Sequence, residues 1–323
     1  MSFEQIIGHR RPVRLLQKAI VNDHFPHAYL FLGPEGIGKK ITALTVAKAL
    51  NCEEKREDCC DRCISCRKIE DTNHPDVSVI SPDGQFIRIE QIRQLQRSLS
   101  YRPYEGRKRV CIFDGADRMK AEGANALLKT LEEPPPETLL ILLAPERNSL
   151  LPTIVSRCQQ MSFTSLPIDP MSEELANRLS LEKREANTLA ELSQGSPGRA
   201  IEMFHHEIWQ RRRKIIHDLI DLGSQGVQGA FATAESLANF GEDLPLVFPL
   251  MISWYRDLII WNEQGDVDRL INQDFSEMVK QKAILMSRKS LVRRIEAINE
   301  TSKALSRNAN RLLAMENLML RLR

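Results

Sequence analysis

The chain has 323 residues, of which 42% are hydrophobic and 27% charged, with a net charge of +2. This length suits two or three domains, and the composition excludes a disordered or fibrous protein. The near-neutral balance excludes a protein that grips nucleic acid mainly with a strongly basic surface of its own. No apolar run approaches the roughly 20 residues of a membrane span, and the N-terminus has no secretory pattern, so we expect a cytoplasmic protein without a membrane partner.

The first half of the chain alternates short apolar runs with helical patterns, as expected of a parallel sheet covered by helices. Strands are predicted at Tyr29–Leu32, Val77–Ile80, Val110–Phe113, Leu139–Leu143 and near Met161–Phe163. Helices are predicted at Arg10–Val21, Gly38–Leu50, Ile89–Leu99 and Glu122–Leu131. We therefore predict an α/β domain over residues 1–166.

A glycine-rich loop, Gly33 to Lys40, lies between the first predicted strand and the helix after it. Glycines such as Gly36 and Gly38 let backbone amides face phosphate oxygens, and Lys39 is placed to reach the phosphates. A phosphate loop should end in Ser or Thr, because that hydroxyl binds the magnesium ion, yet Lys40 stands there. The loop is either a relic or weak nucleotide site or a working one, and bound ATP with Mg²⁺ stays an open question.

Five of the seven cysteines crowd into one segment, about residues 52–66. In a reducing cytosol such clustering indicates a metal site rather than disulfides, and four thiolates suit tetrahedral, structural Zn²⁺. The predicted ligands are Cys52, Cys60, Cys63 and Cys66. Cys59 is an alternative to Cys60. A zinc-dependent DNA-binding finger is a weaker hypothesis, because no basic recognition helix follows the cluster.

The third predicted strand ends in a carboxylate, Asp114, at the position that holds magnesium in nucleotide hydrolases. Gly115 comes directly after it. Asp117 is predicted to cap a helix beginning at Arg118 rather than to act as a general base.

Several short motifs stand out along the chain besides the phosphate loop. They are Ile7-Gly8-His9, His-Ala-Tyr-Leu-Phe at 27–31, Asp-Gly-Ala-Asp-Arg-Met at 114–119, Asn-Ala-Leu-Leu-Lys-Thr-Leu-Glu-Glu-Pro-Pro at 125–135 and Leu-Pro-Thr-Ile-Val-Ser-Arg-Cys at 151–158. Together they resemble the AAA+ clamp-loader family of bacterial DNA polymerase III, over most of the chain, and the last two are highly specific to it. The family's zinc-carrying members share the same cysteine arrangement.

The resemblance implies a subunit that is not a motor. ATP-hydrolysing members carry a glutamate at the position of Gly115, and general base catalysis contributes about 10²–10⁴-fold to such reactions. Ala144-Pro145 stands where motor subunits have a hydroxyl residue, and Gly198-Arg199 is shifted from the usual sensor arginine. The rival hypothesis is an active motor-type ATPase, against which Lys40 and Gly115 both argue.

The intact Ser156-Arg157-Cys158 segment resembles the family's source of a trans-acting arginine finger. The resemblance therefore implies that Arg157 acts on ATP held by a neighbouring subunit. The implied partners are the tau or gamma motor subunits and the delta subunit in a five-membered hetero-oligomer, with the sliding clamp and primed DNA reached through the complex.

The rest of the chain is predicted to be helical. A small helical lid domain is predicted over 167–206, with a turn cluster, Gly195-Ser196-Pro197-Gly198, between its helices. A helical collar bundle is predicted over 207–323, with breaks at several glycines, Gly229 among them. The run Asn308–Glu316 resembles the family's collar, through which subunits associate. The basic run Gln210–Lys214 is predicted to be a solvated helix face, with DNA contact as the alternative.

Overall fold

The computed structural model of the protein describes residues 2–54, 57–206 and 208–323. The chain divides into two compact units. The first comprises the residues up to Met171 together with Ser196–Gly198, and the second comprises Ser172–Gly195 with Arg199–Arg323. The predicted lid and collar segments both fall largely in the second unit, so the boundary between them stays a prediction.

The first unit is built on a five-stranded sheet in the order β2-β3-β4-β1-β5, in which every neighbouring pair is parallel. The strands are β1 (Ala28–Leu32), β2 (Val77–Ile80), β3 (Arg109–Asp114), β4 (Thr138–Ala144) and β5 (Gln159–Ser162). All five predicted strands are confirmed, with shifts of one or two residues at their ends. Because the strands are parallel, their carboxyl ends meet at one edge of the sheet and their amino ends at the other.

Helices cover both faces of this sheet. They are α1 (Arg10–Val21), α2 (Lys39–Asn51), α3 (Ile64–Glu70), α4 (Ile89–Leu99), α5 (Ala121–Glu132) and α6 (Pro152–Val155). Successive residues of a strand point to opposite faces, so Tyr29 and Phe31 enter one apolar core while Ala28 and Leu30 enter the other. Burial on both faces explains the nearly continuous apolar runs from which the strands were predicted.

The second unit is helical, as predicted. Its helices are α7 (Ile168–Leu179, shared with the end of the first unit), α8 (Lys183–Leu192), α9 (Pro197–His205), α10 (Ile208–Asp221), α11 (Gly226–Ala238), α12 (Leu244–Gln264), α13 (Ser276–Ala283), α14 (Arg288–Ser306) and α15 (Arg311–Leu322). The prediction of a break at Gly229 is wrong, because this glycine lies inside α11.

The segment Gly241–Gln264, which includes α12, is long and apolar enough by length and composition to cross a membrane. It is the core helix of the second unit, since Trp254, Tyr255 and Leu258 are all buried there. Asp257, on the same helix, is also fully buried and accepts hydrogen bonds from the backbone of Ile271 and Asn272. These contacts explain the apolar length of α12 through packing within the protein.

Candidate functional site

The phosphate loop lies at the carboxyl edge of the sheet, between β1 and α2. Gly38, directly before α2, has a φ of 107°, a conformation that residues with a Cβ rarely adopt. Lys39 turns its ammonium group back onto the loop and donates to the carbonyl oxygens of Gly33 and Pro34. Burial lowers the pKa of Lys39, although the nearby carboxylates partly oppose this. The loop thus has the shape of a phosphate site with its lysine hydrogen-bonded to the loop itself.

Lys40 forms an ion pair with Asp114, with Nζ and Oδ2 separated by 2.9 Å. Asp114 ends β3 at the same edge of the sheet, separated from β1 by β4. An ammonium tethered to the chain is therefore bonded to the carboxylate that would bind magnesium in a nucleotide hydrolase. The nearest hydroxyl, that of Thr42, cannot replace the missing ligand, because it donates to the carbonyl oxygen of Gly38 in its own helix.

Gly115 has a φ of 84°, so its backbone is in the left-handed region. A Cβ added there would come no closer than 3.5 Å to its nearest neighbour, Pro82. A Cβ therefore fits at this position, but the left-handed backbone disfavours any residue that carries one. The predicted helix cap at Asp117 is wrong: Ala116–Arg118 is a single 3-10 turn, and α5 begins only at Ala121.

The turn at Ser196–Gly198 lies directly on the phosphate loop. The Gly198 N–H donates to the carbonyl oxygen of Gly36 over 2.8 Å, and the Ser196 hydroxyl donates to that of Glu35 over 3.1 Å. A Cβ at Gly198 would lie 2.6 Å from the Gly36 oxygen, so only glycine fits. The sequence showed a cluster of turn-forming residues here but gave no sign of which loop they would contact.

Arg157 lies at the opposite edge of the sheet, between α6 and the start of β5. β5 pairs with β1 so that Gln159 aligns with Tyr29 and Ser162 with Leu32. Since each residue of a strand spans about 3.3 Å, Arg157 and the phosphate loop are separated by about 13 Å or more along the strands. The guanidinium donates to the carbonyl oxygen of Thr153 over 3.0 Å and forms a 2.7 Å ion pair with Glu132.

The four predicted zinc ligands come together beside the C-terminal end of α2. Their sulfur atoms all lie within 4.8 Å of one another, and all four residues are buried. The Sγ atoms of Cys60 and Cys66 are 4.0 Å apart, close to the roughly 3.8 Å that tetrahedral Zn–S bonds of about 2.3 Å require. Backbone N–H groups of Cys63 and Cys66 donate to the sulfurs of Cys60 and Cys63. The donor set and its geometry therefore fit zinc.

Cys59 is buried but does not belong to this group of four. Its thiol contacts the carboxylate of Asp61 over 3.5 Å, and burial raises its pKa to about 12. The geometry therefore favours Cys60 over Cys59 as the fourth ligand.

The cysteine loop is anchored to the rest of the first unit by buried polar contacts. Lys48, on α2 and only 3% exposed, pairs with Asp61 over 2.9 Å and also with Glu70 on α3. Asp58 accepts a hydrogen bond from the backbone N–H of Phe3. These contacts join the cysteine loop to α2, α3 and the N-terminal segment.

A second buried network, missed in the sequence, lies at the same amino edge. Asp76, fully buried before β2, accepts hydrogen bonds from the backbone N–H groups of Tyr104, Glu105 and Gly106. It also forms a 3.0 Å ion pair with Arg109, the first residue of β3. Neither residue belongs to a recognisable motif, and only their positions at the starts of two neighbouring strands could have paired them in advance.

The basic run at 210–214 is not wholly a solvated face. Arg212 is buried and donates to both carboxylate oxygens of Asp274 and to Asn272. The prediction of a solvated face is wrong for this residue, because its acidic partner Asp274 lies 62 positions away in the sequence and could not be foreseen from the local pattern. Its neighbours Arg211 and Arg213 are exposed, as predicted.

Comparisons with known proteins agree with this architecture. The family described as "DNA polymerase III, delta subunit" matches residues 8–167, and that described as "DNA polymerase III, delta subunit, C terminal" matches residues 206–323. A crystal structure of a DNA polymerase III gamma subunit-related protein from Thermotoga maritima has a TM-score of 0.51 and 18% identity, covering 96% of this chain and 99% of that one. This likeness shows the fold. The fold and the phosphate loop define an AAA+ protein of the clamp-loader class.

Relatives found by sequence similarity indicate which kind of clamp-loader subunit the chain is. The DNA polymerase III subunit delta′ of Bacillus subtilis is 33% identical over 97% of this chain and 95% of its own length. That of Pseudomonas aeruginosa is 30% identical over 91% and 90%. The tau subunit of Bacillus subtilis is 28% identical over 86% of this chain but only 54% of its own length. The chain belongs to the family of DNA polymerase III delta′ subunits and is a clamp-loader subunit.

Proposed function

We propose that the protein is a non-motor member of a five-membered clamp-loader ring that supplies Arg157 to ATP bound by the neighbouring subunit. The ring would also contain tau or gamma and delta subunits, and would place the sliding clamp on primed DNA in the cytoplasm. The observation that carries this proposal is the position of Arg157 at the sheet edge opposite its own phosphate loop. An arginine there is remote from a nucleotide in its own chain and lies at the surface, where a neighbouring subunit would bring its own nucleotide.

The chemistry of the guanidinium supports this role. It is always charged and planar, so it can stabilise the negative charge that develops on a γ-phosphate during transfer. In phosphoryl-transfer systems where such an arginine finger has been measured, it contributes about 10³–10⁵-fold. Arg157 is partly exposed, at 36%, and therefore reaches solvent at the surface of the first unit.

The chain's own nucleotide site is proposed to be inactive in hydrolysis. The residues concerned are Gly33, Gly36, Gly38, Lys39, Lys40 and Asp114. Lys40 stands where the hydroxyl ligand of magnesium would be, and its ammonium group pairs with Asp114, the carboxylate that would hold the ion. Gly115 removes the general base. Both losses act on the chemical step, so the isolated chain should hydrolyse ATP negligibly whether or not nucleotide binds.

We also propose a structural zinc ion held by Cys52, Cys60, Cys63 and Cys66. A bound zinc would supply binding energy that fixes the cysteine loop against α2 and α3, since four thiolates leave no coordination position for a reacting water. Burial raises the pKa of the Cys60 and Cys66 thiols, so a cation is needed to hold four thiolates together here.

The test of the arginine role uses a reconstituted clamp loader in which this chain is wild type, Arg157→Ala or Arg157→Lys. At the one ATP site that receives this finger, Arg157→Ala should lower hydrolysis by about 10³-fold or more. The complex should then lose that site's share of clamp- and DNA-stimulated turnover and load clamps more slowly. Lysine should rescue poorly, because a point charge cannot reproduce a bidentate contact.

Ring assembly and zinc content should be unchanged in both variants, as measured by gel filtration and metal analysis. If the Arg157→Ala complex assembled fully and loaded clamps at the wild-type rate, the trans-acting role would be refuted. A loss of assembly instead would assign Arg157 to the interface rather than to the chemistry.

A further inference from the structure

Arg157 is not presented as a free side chain: two elements of its own subunit hold it. One guanidinium nitrogen, Nη1, donates to the carbonyl oxygen of Thr153 on α6 over 3.0 Å. The other terminal nitrogen, Nη2, lies 2.7 Å from Oε1 of Glu132, the last residue of α5. Contacts to two separate elements restrict the position of the guanidinium, while its Nε has no acceptor among the described residues.

Glu132 pairs with Arg157, whereas the adjacent Glu133 does not. Glu133 follows α5 directly and lines a cavity of about 400 Å³ together with Tyr101, Arg102 and Lys129. It forms no ion pair within the described ranges of the chain. The two adjacent glutamates thus have the same charge and nearly the same place in the fold, but only one contacts Arg157.

The position of α5 explains why Glu132 can do this. α5 precedes β4, so its C-terminal end lies at the amino edge of the sheet, where α6 also leads into β5. The two segments are 25 residues apart in sequence and are brought together only by the fold. Because Glu132 contacts Nη2 and not Nε, the Nε side of the guanidinium stays available to a ligand from outside the subunit.

We propose that Glu132 is a positioning residue for Arg157, holding its guanidinium in the orientation in which it meets the neighbouring subunit's γ-phosphate. This inference rests on the proposed arginine-finger role. A long arginine side chain otherwise samples many rotamers, and it loses this conformational entropy when it binds a phosphate. If Glu132 restricts the side chain beforehand, less entropy is lost on reaching the transition state. Both partners are partly exposed, at 36% and 51%, so the effect should be modest.

The test is a double-mutant cycle in the reconstituted clamp loader. Its variants are Glu132→Ala, Arg157→Ala, the double variant, Glu132→Gln and the matched control Glu133→Ala. Glu132→Ala should lower the maximal stimulated hydrolysis at the site that receives the finger by about threefold to fivefold, the range for an exposed ion pair, with KM for ATP unchanged. Glu132→Gln should recover part of this rate, because its amide oxygen can take the place of the carboxylate oxygen beside Nη2. Glu133→Ala should behave as wild type.

The cycle separates positioning from a general structural role. If Glu132 acts through Arg157, removing Glu132 from the Arg157→Ala complex should lower hydrolysis no further. An additive loss in the double variant, an equal loss in Glu133→Ala, or a wild-type rate in Glu132→Ala would each overturn the proposal. Arg157→Ala alone tests the underlying function: a wild-type rate there refutes the finger itself, whereas a large loss with no effect of Glu132→Ala refutes only the positioning role.

Discussion

The two edges of the parallel sheet have different chemistry. The carboxyl edge holds the phosphate loop, where Lys39 contacts loop carbonyls and Lys40 pairs with Asp114. The amino edge holds Arg157, the cysteine cluster and the Asp76–Arg109 pair. The edge that would perform hydrolysis has Lys40 and Gly115 where a hydroxyl and a glutamate were expected, whereas the amino edge contains the buried Asp76–Arg109 pair.

The two edges also differ in how deeply their ion pairs are buried, as the Asp76–Arg109 and Lys40–Asp114 pairs show. Arg109 and Asp76 have side-chain exposures of 10% and 0%, whereas Lys40 and Asp114 have 51% and 33%. Removing one partner of a buried pair leaves a charge or dipole without its partner, while an exposed pair is replaced by water. The same type of bond should therefore matter at one edge and hardly at the other.

The largest effect is expected at the cysteine cluster. Cys63→Ser should abolish stoichiometric zinc binding and lower the free energy of unfolding by more than about 4 kcal/mol, because metal binding energy is folding energy in such modules. Metal analysis and thermal unfolding measure both. Cys59→Ser, the matched control, should keep about one zinc per chain, and a metal-free wild-type chain that folds and assembles normally would contradict the zinc proposal.

The next largest effect is expected at Asp76. Asp76→Asn should destabilise the chain by about 3 kcal/mol at neutral pH, since Arg109 would remain buried without its charged partner. Denaturant unfolding measures this difference. A variant as stable as the wild type would mean that the amino edge does not depend on this pair.

The pH dependence of the Asp76→Asn effect has a definite sign. Burial alone would raise the pKa of Asp76, but the N–H groups of Gly106, Tyr104 and Glu105 and the Arg109 guanidinium outweigh it and hold the pKa below its usual range. A carboxylate with a lowered pKa contributes stability above its unfolded pKa of about 3.9 and loses it as the pH falls through the lower, folded value. The gap between wild type and variant should be constant from about pH 5 to 7 and narrow below about pH 4.

A smaller effect is expected when the catalytic groups are put back at the carboxyl edge. Gly115→Glu should cost about 1–2 kcal/mol of stability, because its backbone is left-handed, and should not restore ATP turnover while Lys40 remains. Steady-state hydrolysis by the isolated chain measures the second point. Turnover in the wild-type chain that Lys39→Ala abolishes would show that the loop is a working site.

The smallest effect is expected for Lys40→Ala. The Lys40–Asp114 pair is exposed on both sides, so its loss should change the free energy of unfolding by no more than about 1 kcal/mol. Measured beside Asp76→Asn, this variant sharpens the contrast between the edges. A loss as large as that of Asp76→Asn would make the two pairs equivalent.

Sequence patterns predicted the regular elements and the motif residues well, because strands buried on both faces and a phosphate loop leave local signals. The grouping of Cys52 with Cys60, Cys63 and Cys66 was also readable from spacing. Contacts between distant segments were not: Glu132 with Arg157, Asp76 with Arg109, and Arg212 with Asp274 depend on how the elements pack. The wrong predictions at Gly229 and Asp117 have a similar cause, since helical packing tolerates an interior glycine and a short 3-10 turn replaces the expected cap.

The most direct test of the contrast between the edges compares Arg157→Ala with Lys39→Ala in the same reconstituted clamp loader. Each variant removes one positive side chain, from the amino edge and from the phosphate loop. We predict that Arg157→Ala removes the adjacent site's share of clamp- and DNA-stimulated ATP hydrolysis, while Lys39→Ala leaves the rate of the complex unchanged. A wild-type rate with Arg157→Ala together with a loss in Lys39→Ala would contradict the account, because the phosphate loop would then be the working edge.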